Sequence, residues 1–263
     1  MYNSKNNWAI KVKKWVLNRP IVIIAGLIVV FASSTITILD ATSRFSNYFN
    51  YVINWRNSEE NIINSLSTNI NISVFKDKLG SPVYISGLKG SKSIEYFFKR
   101  KGYWIQAVAN DFGQVSLMAI TVCDVSFKPK ISFVKKGTFD TDIVIGGTTL
   151  YEMSKDPSFN YFIGAHPPNV FMEHEYLARP GGYQEAYWGV NDVCPYFMKD
   201  IPESIIDNKV KNLSSPEIVK FRKSTRINMF AISYDFDYEN IAKSNPVFII
   251  GGNSNIFMTF SDN

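Results

Sequence analysis

The chain has few of the residues on which catalysis and metal binding depend. Its 263 residues include two histidines and two cysteines. Cys123 and Cys194 lack the C-x-x-C spacing of zinc and redox sites. His174 stands between two glutamates, but the surrounding sequence is not H-E-x-x-H. No serine lies in a G-x-S-x-G motif, and no lysine follows Gly146-Gly-Thr-Thr149 to complete a phosphate-binding loop. These absences favour a non-enzymatic protein without a cofactor or a metal.

Charge is absent from one long run, Pro20–Leu39, which reads PIVIIAGLIVVFASSTITIL. At about 1.5 Å per residue, a helix of this length crosses a hydrocarbon core of roughly 30 Å. The run is longer than the apolar part of a cleaved signal peptide, and a buried core helix rarely stays uncharged on all faces for five turns. The sequence therefore predicts a single transmembrane helix at 20–40 in the bacterial inner membrane.

The net charge of +5 resides entirely in the segment before this run. Residues 1–19 contain five basic and no acidic side chains, and the remaining residues are formally neutral. The basic pI therefore describes a membrane flank and is no argument for nucleic-acid binding. The positive-inside rule places such a flank in the cytoplasm and the following domain outside.

Cysteine usage leaves the side of the membrane open. Cys123 and Cys194 could form one disulfide in an oxidising compartment, or remain two buried thiols in a reducing one.

The pattern of elements predicts an α+β fold with a mostly antiparallel sheet. Beyond the basic flank (1–19) and the span (20–40), a helical stalk (41–68) leads to a soluble domain (69–263), whose candidate subdomains are about 69–136 and 137–263. The first predicted elements are a helix ending before Pro82 and a strand meander with a turn at Asn110–Gly113. Its strands are Val83–Ser86, Ile94–Phe98, Tyr103–Ala109 and Val115–Val122. Later predicted elements are a strand at Asp142–Ile145, a helix capped by Thr148 or Thr149, a strand at Tyr183–Gly189, helices at Glu203–Lys211 and Pro216–Arg226, and strands at Ile227–Tyr234, Val247–Ile250 and Ile256–Phe260.

One stretch combines basic and aromatic side chains in the way that single-stranded nucleic-acid sites do. Bases stack on aromatic rings while lysine and arginine hold phosphates. The predicted site for a nucleotide or oligonucleotide comprises Lys99, Arg100, Lys101, Tyr103 and Trp104. The alternative is a solvated hairpin tip whose aromatic residues belong to strand cores. Glu173-His174-Glu175 is interpreted as a solvated strand rather than a metal site, and Lys220, Arg222, Lys223 and Arg226 form another basic cluster.

The span carries small residues that allow helices to approach each other closely. They are Ala25, Gly26, Ala32, Ser33 and Thr37, of which the last two are hydroxylic. An apolar stripe continues along the stalk and requires a partner, either the protein's own domain or another copy. The sequence therefore predicts a homo-oligomer, such as a tetramer, in the lipid bilayer.

Two resemblances add expectations. Residues 70–122, with Phe75-Lys-Asp-Lys-Leu-Gly-Ser-Pro82 followed by strands and the Asn-Asp-x-Gly turn, resemble the helix–meander module of envelope lipoproteins of the SmpA/OmlA type. The order of basic flank, span, stalk and mixed domain resembles the membrane effectors of bacterial anti-phage systems, such as the HalA-type effector of the Hailong system. The second resemblance implies an oligomer that permeabilises the membrane when a nucleotide binds its cytoplasmic domain. The alternative is an envelope scaffold with a periplasmic, protein-binding domain.

Overall fold

The computed structural model describes residues 54–133, 141–155, 159–163, 170–177, 183–191, 193–194, 202, 215–245 and 248–252. In these ranges no helix is long and apolar enough to cross a membrane. The predicted span, its small residues, and the elements predicted at 203–211 and 256–260 lie outside the described residues and stay predictions. The chain divides into two units, Met1–Trp55 and Arg56–Asn263. The second unit, described below, therefore begins inside the predicted stalk.

An eight-stranded antiparallel sheet forms the centre of this unit, which confirms the α+β class with a mostly antiparallel sheet. Its strand order is β1-β2-β3-β4-β10-β9-β8-β7, and β5 and β6 form a separate pair. The strands are β1 (Tyr84–Gly87), β2 (Ile94–Arg100), β3 (Tyr103–Ala109), β4 (Val115–Val122), β5 (Lys130–Phe133), β6 (Thr141–Val144), β7 (Phe159–Ile163), β8 (Val170–Tyr176), β9 (Glu185–Asn191) and β10 (Met229–Ser233).

The sheet consists of two four-stranded halves that meet through their last strands. The first half is β1–β4 and the second half is β7–β10. In the central pairing, Ala119 of β4 lies opposite Ala231 of β10. Because β4 and β10 run antiparallel, β3 and β9 occupy equivalent places on either side of the centre, and so do β2 and β8.

Five helices accompany the sheet in the described residues. They are α1 (54–64), α2 (Ile72–Leu79), α3 (Leu150–Met153), α4 (Pro216–Ser224) and α5 (Tyr238–Ser244). Local capping explains their ends. Asn71 caps α2, and Gly80 ends it with a φ of 86° that suits glycine. Thr149 and Glu152 form a capping box on α3. Ser215 caps α4, which has a proline in its first turn.

Helices cover both faces of the sheet. On one face, Phe75 of α2 packs near Phe98, and Phe221 of α4 meets Phe171 edge to face. The other face carries a core cluster to which the segment from Phe236 to Ile250, including α5, contributes. Burial of these large apolar side chains is the main stabilising contribution to the fold.

The end of the predicted stalk packs against the domain. Arg56 donates to the carbonyl oxygen of Ser126 at 3.0 Å, and Asn64 donates to that of Lys130 at 2.9 Å. Ile63 and Leu66 are buried. For residues 56–66, the apolar stripe therefore has its partner in the protein's own domain rather than in another copy.

The β3–β4 hairpin has the bounds that the sequence predicts. Its turn is closed by Asn110, whose side-chain oxygen accepts from the backbone N–H groups of Phe112 and Gln114. Gly113 takes a φ of 76°. The strand predicted at Val247–Ile250 is wrong in its described part, since residues 248–250 are irregular. The sequence analysis also missed β5, β7 and α5, and it recognised β8 only as a strand at Glu173–Glu175.

Candidate functional site

Two residues of the predicted basic and aromatic site, Arg100 and Tyr103, bond to a glutamate inside the protein. Arg100 donates two hydrogen bonds to the carboxylate of Glu59, at 2.9 and 2.6 Å. The hydroxyl of Tyr103 donates to the same carboxylate at 2.7 Å, and burial raises its pKa. Arg100 and Tyr103 therefore hold α1 against the sheet.

The aromatic rings of this stretch are buried. Tyr103 is 1% exposed and Trp104 is 7% exposed, packed beside Phe97. The ammonium of Lys99 lies 5.7 Å from the centre of the Trp104 ring. The expectation that bases stack on Tyr103 and Trp104 is corrected, because these rings are strand core.

A second ion pair lies wholly inside the protein. Arg222 of α4 donates to both carboxylate oxygens of Glu173 on β8, at 2.5 and 3.0 Å. The indole of Trp188 donates to the same carboxylate at 2.9 Å. Arg222 also donates to the carbonyl oxygens of Ser154 and Lys155, at 2.5 and 3.2 Å. Both charged side chains are essentially inaccessible to water, so the interpretation of Glu173 as part of a solvated strand is wrong.

Glu173, His174 and Glu175 do not converge on a metal. They alternate between the faces of β8. His174 stacks on Tyr187, with 4.9 Å between ring centres, and its Nε2 lies 3.6 Å from a carboxylate oxygen of Glu185. The described part of the chain contains no group of three side chains placed to hold a metal ion; His166 lies outside it.

A polar cleft of about 420 Å³ lies at the other end of the sheet from the Arg100–Glu59 pair. It is bounded by the β1–β2 turn, the β3–β4 turn and the segment from the end of β10 into α5. Its lining includes four amide side chains (Asn69, Asn110, Gln114 and Asn240), four serines (Ser91, Ser93, Ser116 and Ser244), and the charged groups Lys89, Asp235 and Asp237.

Exposed aromatic residues gather at the same end of the sheet. Phe112, at the tip of the β3–β4 hairpin, is 79% exposed, and Tyr234, which lines the cleft, is 41% exposed. Tyr176 ends β8 and Tyr183 precedes β9, and these are about half exposed. We call the cleft together with these four aromatic residues the cleft end. Exposed rings next to a polar cavity are typical of a binding surface.

The backbone of the cleft end is unusual. In the described ranges, the non-glycine residues with left-handed φ are Asn69 (64°), Tyr183 (60°) and Asp235 (51°). Such conformations cost energy and concentrate at functional sites. Tertiary contacts hold the backbone at Asn69 and beside Asp235, since the N–H of Asn69 donates to the carbonyl oxygen of Val115 at 2.7 Å and that of Tyr234 to the carbonyl oxygen of Ser116 at 2.8 Å.

Several polar groups in the cleft remain available to a ligand. Asp237 and Asn240 bond to each other as the cap of α5, and Asn110 closes its own turn. By contrast, the side chains of Asn69, Gln114 and Asp235 make no hydrogen bond or ion pair within the ranges that the structure describes. The sequence offered no signal for this cleft beyond the Asn-Asp-Phe-Gly turn with its apolar tip.

A disulfide lies at the opposite end of the sheet. Cys123, directly after β4, is bonded to Cys194, and the Cα atoms are 4.9 Å apart. Cys123 belongs to the first half and Cys194 follows β9 of the second, so the bond joins the two halves. Arg56, where the chain enters this unit, is at the same end, as its contact with Ser126 indicates.

Comparisons with known proteins do not assign the chain to a family. No protein-family model and no curated protein matches it. Among solved structures, it is similar to the crystal structure of a cysteine-rich secretory protein from Staphylococcus aureus subsp. aureus Mu50, with 11% identity and a TM-score of 0.30. The match covers 64% of this chain and 43% of that protein, so the chain corresponds to less than half of its length.

Proposed function

We propose that the protein is a membrane-anchored binding protein of the bacterial envelope. Its domain stands outside the inner membrane and takes its ligand at the cleft end. The observation that carries the proposal is the coincidence, at one end of one sheet, of an open polar cleft, exposed aromatic rings and left-handed backbone at Asn69, Tyr183 and Asp235. A surface that only had to be soluble would not need these features together.

Two independent observations support the placement outside the membrane. The first is the bond between Cys123 and Cys194, because disulfides persist in oxidising compartments and are rare in the cytosol. The second is the charge asymmetry about the predicted span. Five basic residues precede it, whereas Arg44 and Arg56 are the basic residues in the twenty that follow.

The same observations weigh against the phage-defence effector. That hypothesis requires a cytoplasmic domain and a basic site for a nucleotide. The disulfide fits a cytoplasmic domain poorly, and Arg100 is engaged by Glu59. Homo-oligomerisation through the span, with channel activity, remains a separate prediction that concerns residues 20–40.

The placement can be tested by labelling one introduced cysteine. Phe112 is 79% exposed, so F112C should react with a membrane-impermeant maleimide in intact spheroplasts. The wild-type protein is the matched control, because its two cysteines are bonded to each other and should not react without a reductant.

Labelling of F112C only after lysis would contradict the proposal. That result would place the domain in the cytoplasm and favour the effector hypothesis. Labelling of the wild-type control in intact spheroplasts would show that Cys123 and Cys194 are not bonded there, and the placement would then rest on the F112C result and the charge asymmetry.

A further inference from the structure

We propose that the ligand of the cleft end is an uncharged glycan chain. This inference rests on the proposed binding function and names the chemical class of the ligand. It follows from the groups that Asn69, Gln114 and Asp235 present, from the aromatic rings at the rim, and from the sign of the charge in the cleft.

These three exposed side chains suit a ligand that both donates and accepts hydrogen bonds in place of water. The carboxylate of Asp235 only accepts, whereas the amides of Asn69 and Gln114 each donate through nitrogen and accept through oxygen. Sugar hydroxyls donate and accept at neighbouring positions, so one ring can satisfy amides and a carboxylate together. A purely apolar ligand would leave these groups unpaired, at a cost in affinity.

The rings at the cleft end suit the apolar face of a sugar. A pyranose ring presents C–H groups on its faces, and these pack on aromatic rings while the hydroxyls point sideways. Tyr234 lines the cleft, and Phe112 stands between the lining residues Asn110 and Gln114. The cleft is therefore bordered by both kinds of group that a sugar ring requires.

The charge in the cleft disfavours an anionic ligand. Asp235 and Asp237 line it together with Lys89 as the basic residue. A phosphate or a carboxylated sugar would meet two carboxylates and one ammonium. The volume of about 420 Å³ falls in the range of about 300–1,000 Å³ typical of small-molecule sites and suits a short stretch of a chain.

The proposal can be tested by calorimetry on the full chain in lipid nanodiscs, which avoids detergents with sugar headgroups. The probe is a β-1,4-linked tetramer of N-acetylglucosamine. We expect the wild type to bind it and D235N to bind it roughly tenfold more weakly, because hydrogen bonds to a charged group are stronger than neutral ones. Asparagine tolerates left-handed backbone, so this variant should fold normally.

A second variant and a matched control make the result specific. Q114A should weaken binding about fivefold through the loss of a neutral hydrogen bond. D77N makes the same chemical change as D235N at an exposed position on α2 and should bind like the wild type.

Three outcomes would overturn the inference. They are no binding of the tetramer by folded wild type, binding that D235N and Q114A leave unchanged, and tighter binding of a sulfated tetrasaccharide than of the neutral one. If F112C is nevertheless labelled from outside, the ligand class is refuted and the envelope location stands.

Discussion

Each half of the sheet contains one arginine–glutamate pair that joins a strand to a helix. The arginine is on the strand in the first half and on the helix in the second half. In the first half, Arg100 stands on β2 and Glu59 on α1. In the second half, the glutamate, Glu173, stands on β8, and Arg222 stands on α4. The strands β2 and β8 occupy equivalent places, and the register puts both pairs on the same face. Each carboxylate also accepts a hydrogen bond from an aromatic side chain on the neighbouring strand nearer the centre of the sheet. Tyr103 on β3 donates to Glu59, and Trp188 on β9 donates to Glu173.

The pairs differ in their access to water. The side chain of Arg100 is 24% exposed, whereas that of Arg222 is 1% exposed. Arg222 compensates with bonds to backbone carbonyl oxygens from the α3 region. A partly exposed charge can recover hydration when its partner is lost, and a fully buried one cannot. The comparison therefore predicts unequal costs for the same substitution in the two halves.

The largest effect is expected for Glu173→Gln. The variant leaves the Arg222 guanidinium buried without an opposite charge, which costs about 3–5 kcal/mol of unfolding free energy. Denaturant unfolding, followed by tryptophan fluorescence, measures the change. A loss below about 1 kcal/mol would mean that the pair is not buried as described.

A third buried carboxyl sharpens the comparison because it has an amide rather than an arginine as its partner. Glu95 on β2 is 6% exposed and accepts from the side chain of Gln106 at 2.6 Å. Burial raises its pKa from 4.5 to about 7, and the hydrogen bond from Gln106 opposes the rise.

This shift makes stability depend on pH. An acid whose pKa rises on folding holds its proton more tightly in the folded state, so stability falls as the pH rises from 4.5 to about 7. At about 1.4 kcal/mol per unit, Glu95 costs up to about 3 kcal/mol above that window. We expect Glu95→Gln to unfold like the wild type near pH 4.5 and to be more stable at about pH 8. Equal stability of the two proteins at both pH values would refute the shift.

A smaller effect is expected for Glu59→Gln in the first half. Arg100 can turn towards water, so the cost is limited to weakened charge-assisted hydrogen bonds from Arg100 and Tyr103, about 2 kcal/mol. The same denaturant experiment compares it with Glu173→Gln. The control Asp77→Asn should stay within about 0.5 kcal/mol of the wild type. A cost for Glu59→Gln that equals or exceeds that of Glu173→Gln would break the comparison.

Local patterns predicted the first half better than the second. The β3–β4 hairpin carries its own turn chemistry in Asn110 and Gly113, and its strand bounds were predicted correctly. The strands β7 and β8 lack such signals. No element was predicted for β7, and β8 was interpreted as a strand only at Glu173–Glu175. The residues 248–250 resemble a strand in composition, but they pack as an irregular segment over the core cluster.

The buried charges show why the site was harder to predict than the sheet. Arg222 lies among Lys220, Lys223 and Arg226, and a basic cluster on a helix normally faces solvent. Its burial depends on Glu173, which is 49 residues away in sequence. The cleft likewise combines segments near residues 69, 90, 112 and 235, which only the folded sheet brings together.

The central claim, a binding domain outside the membrane, is tested most directly by the state of Cys123 and Cys194 in the cell. Cells expressing the full chain are quenched in acid, and the protein is denatured and alkylated with and without a reductant before mass analysis. Our account predicts no alkylation without the reductant and two alkylated cysteines with it. Two alkylated cysteines in the unreduced sample would contradict the account and place the domain in a reducing compartment.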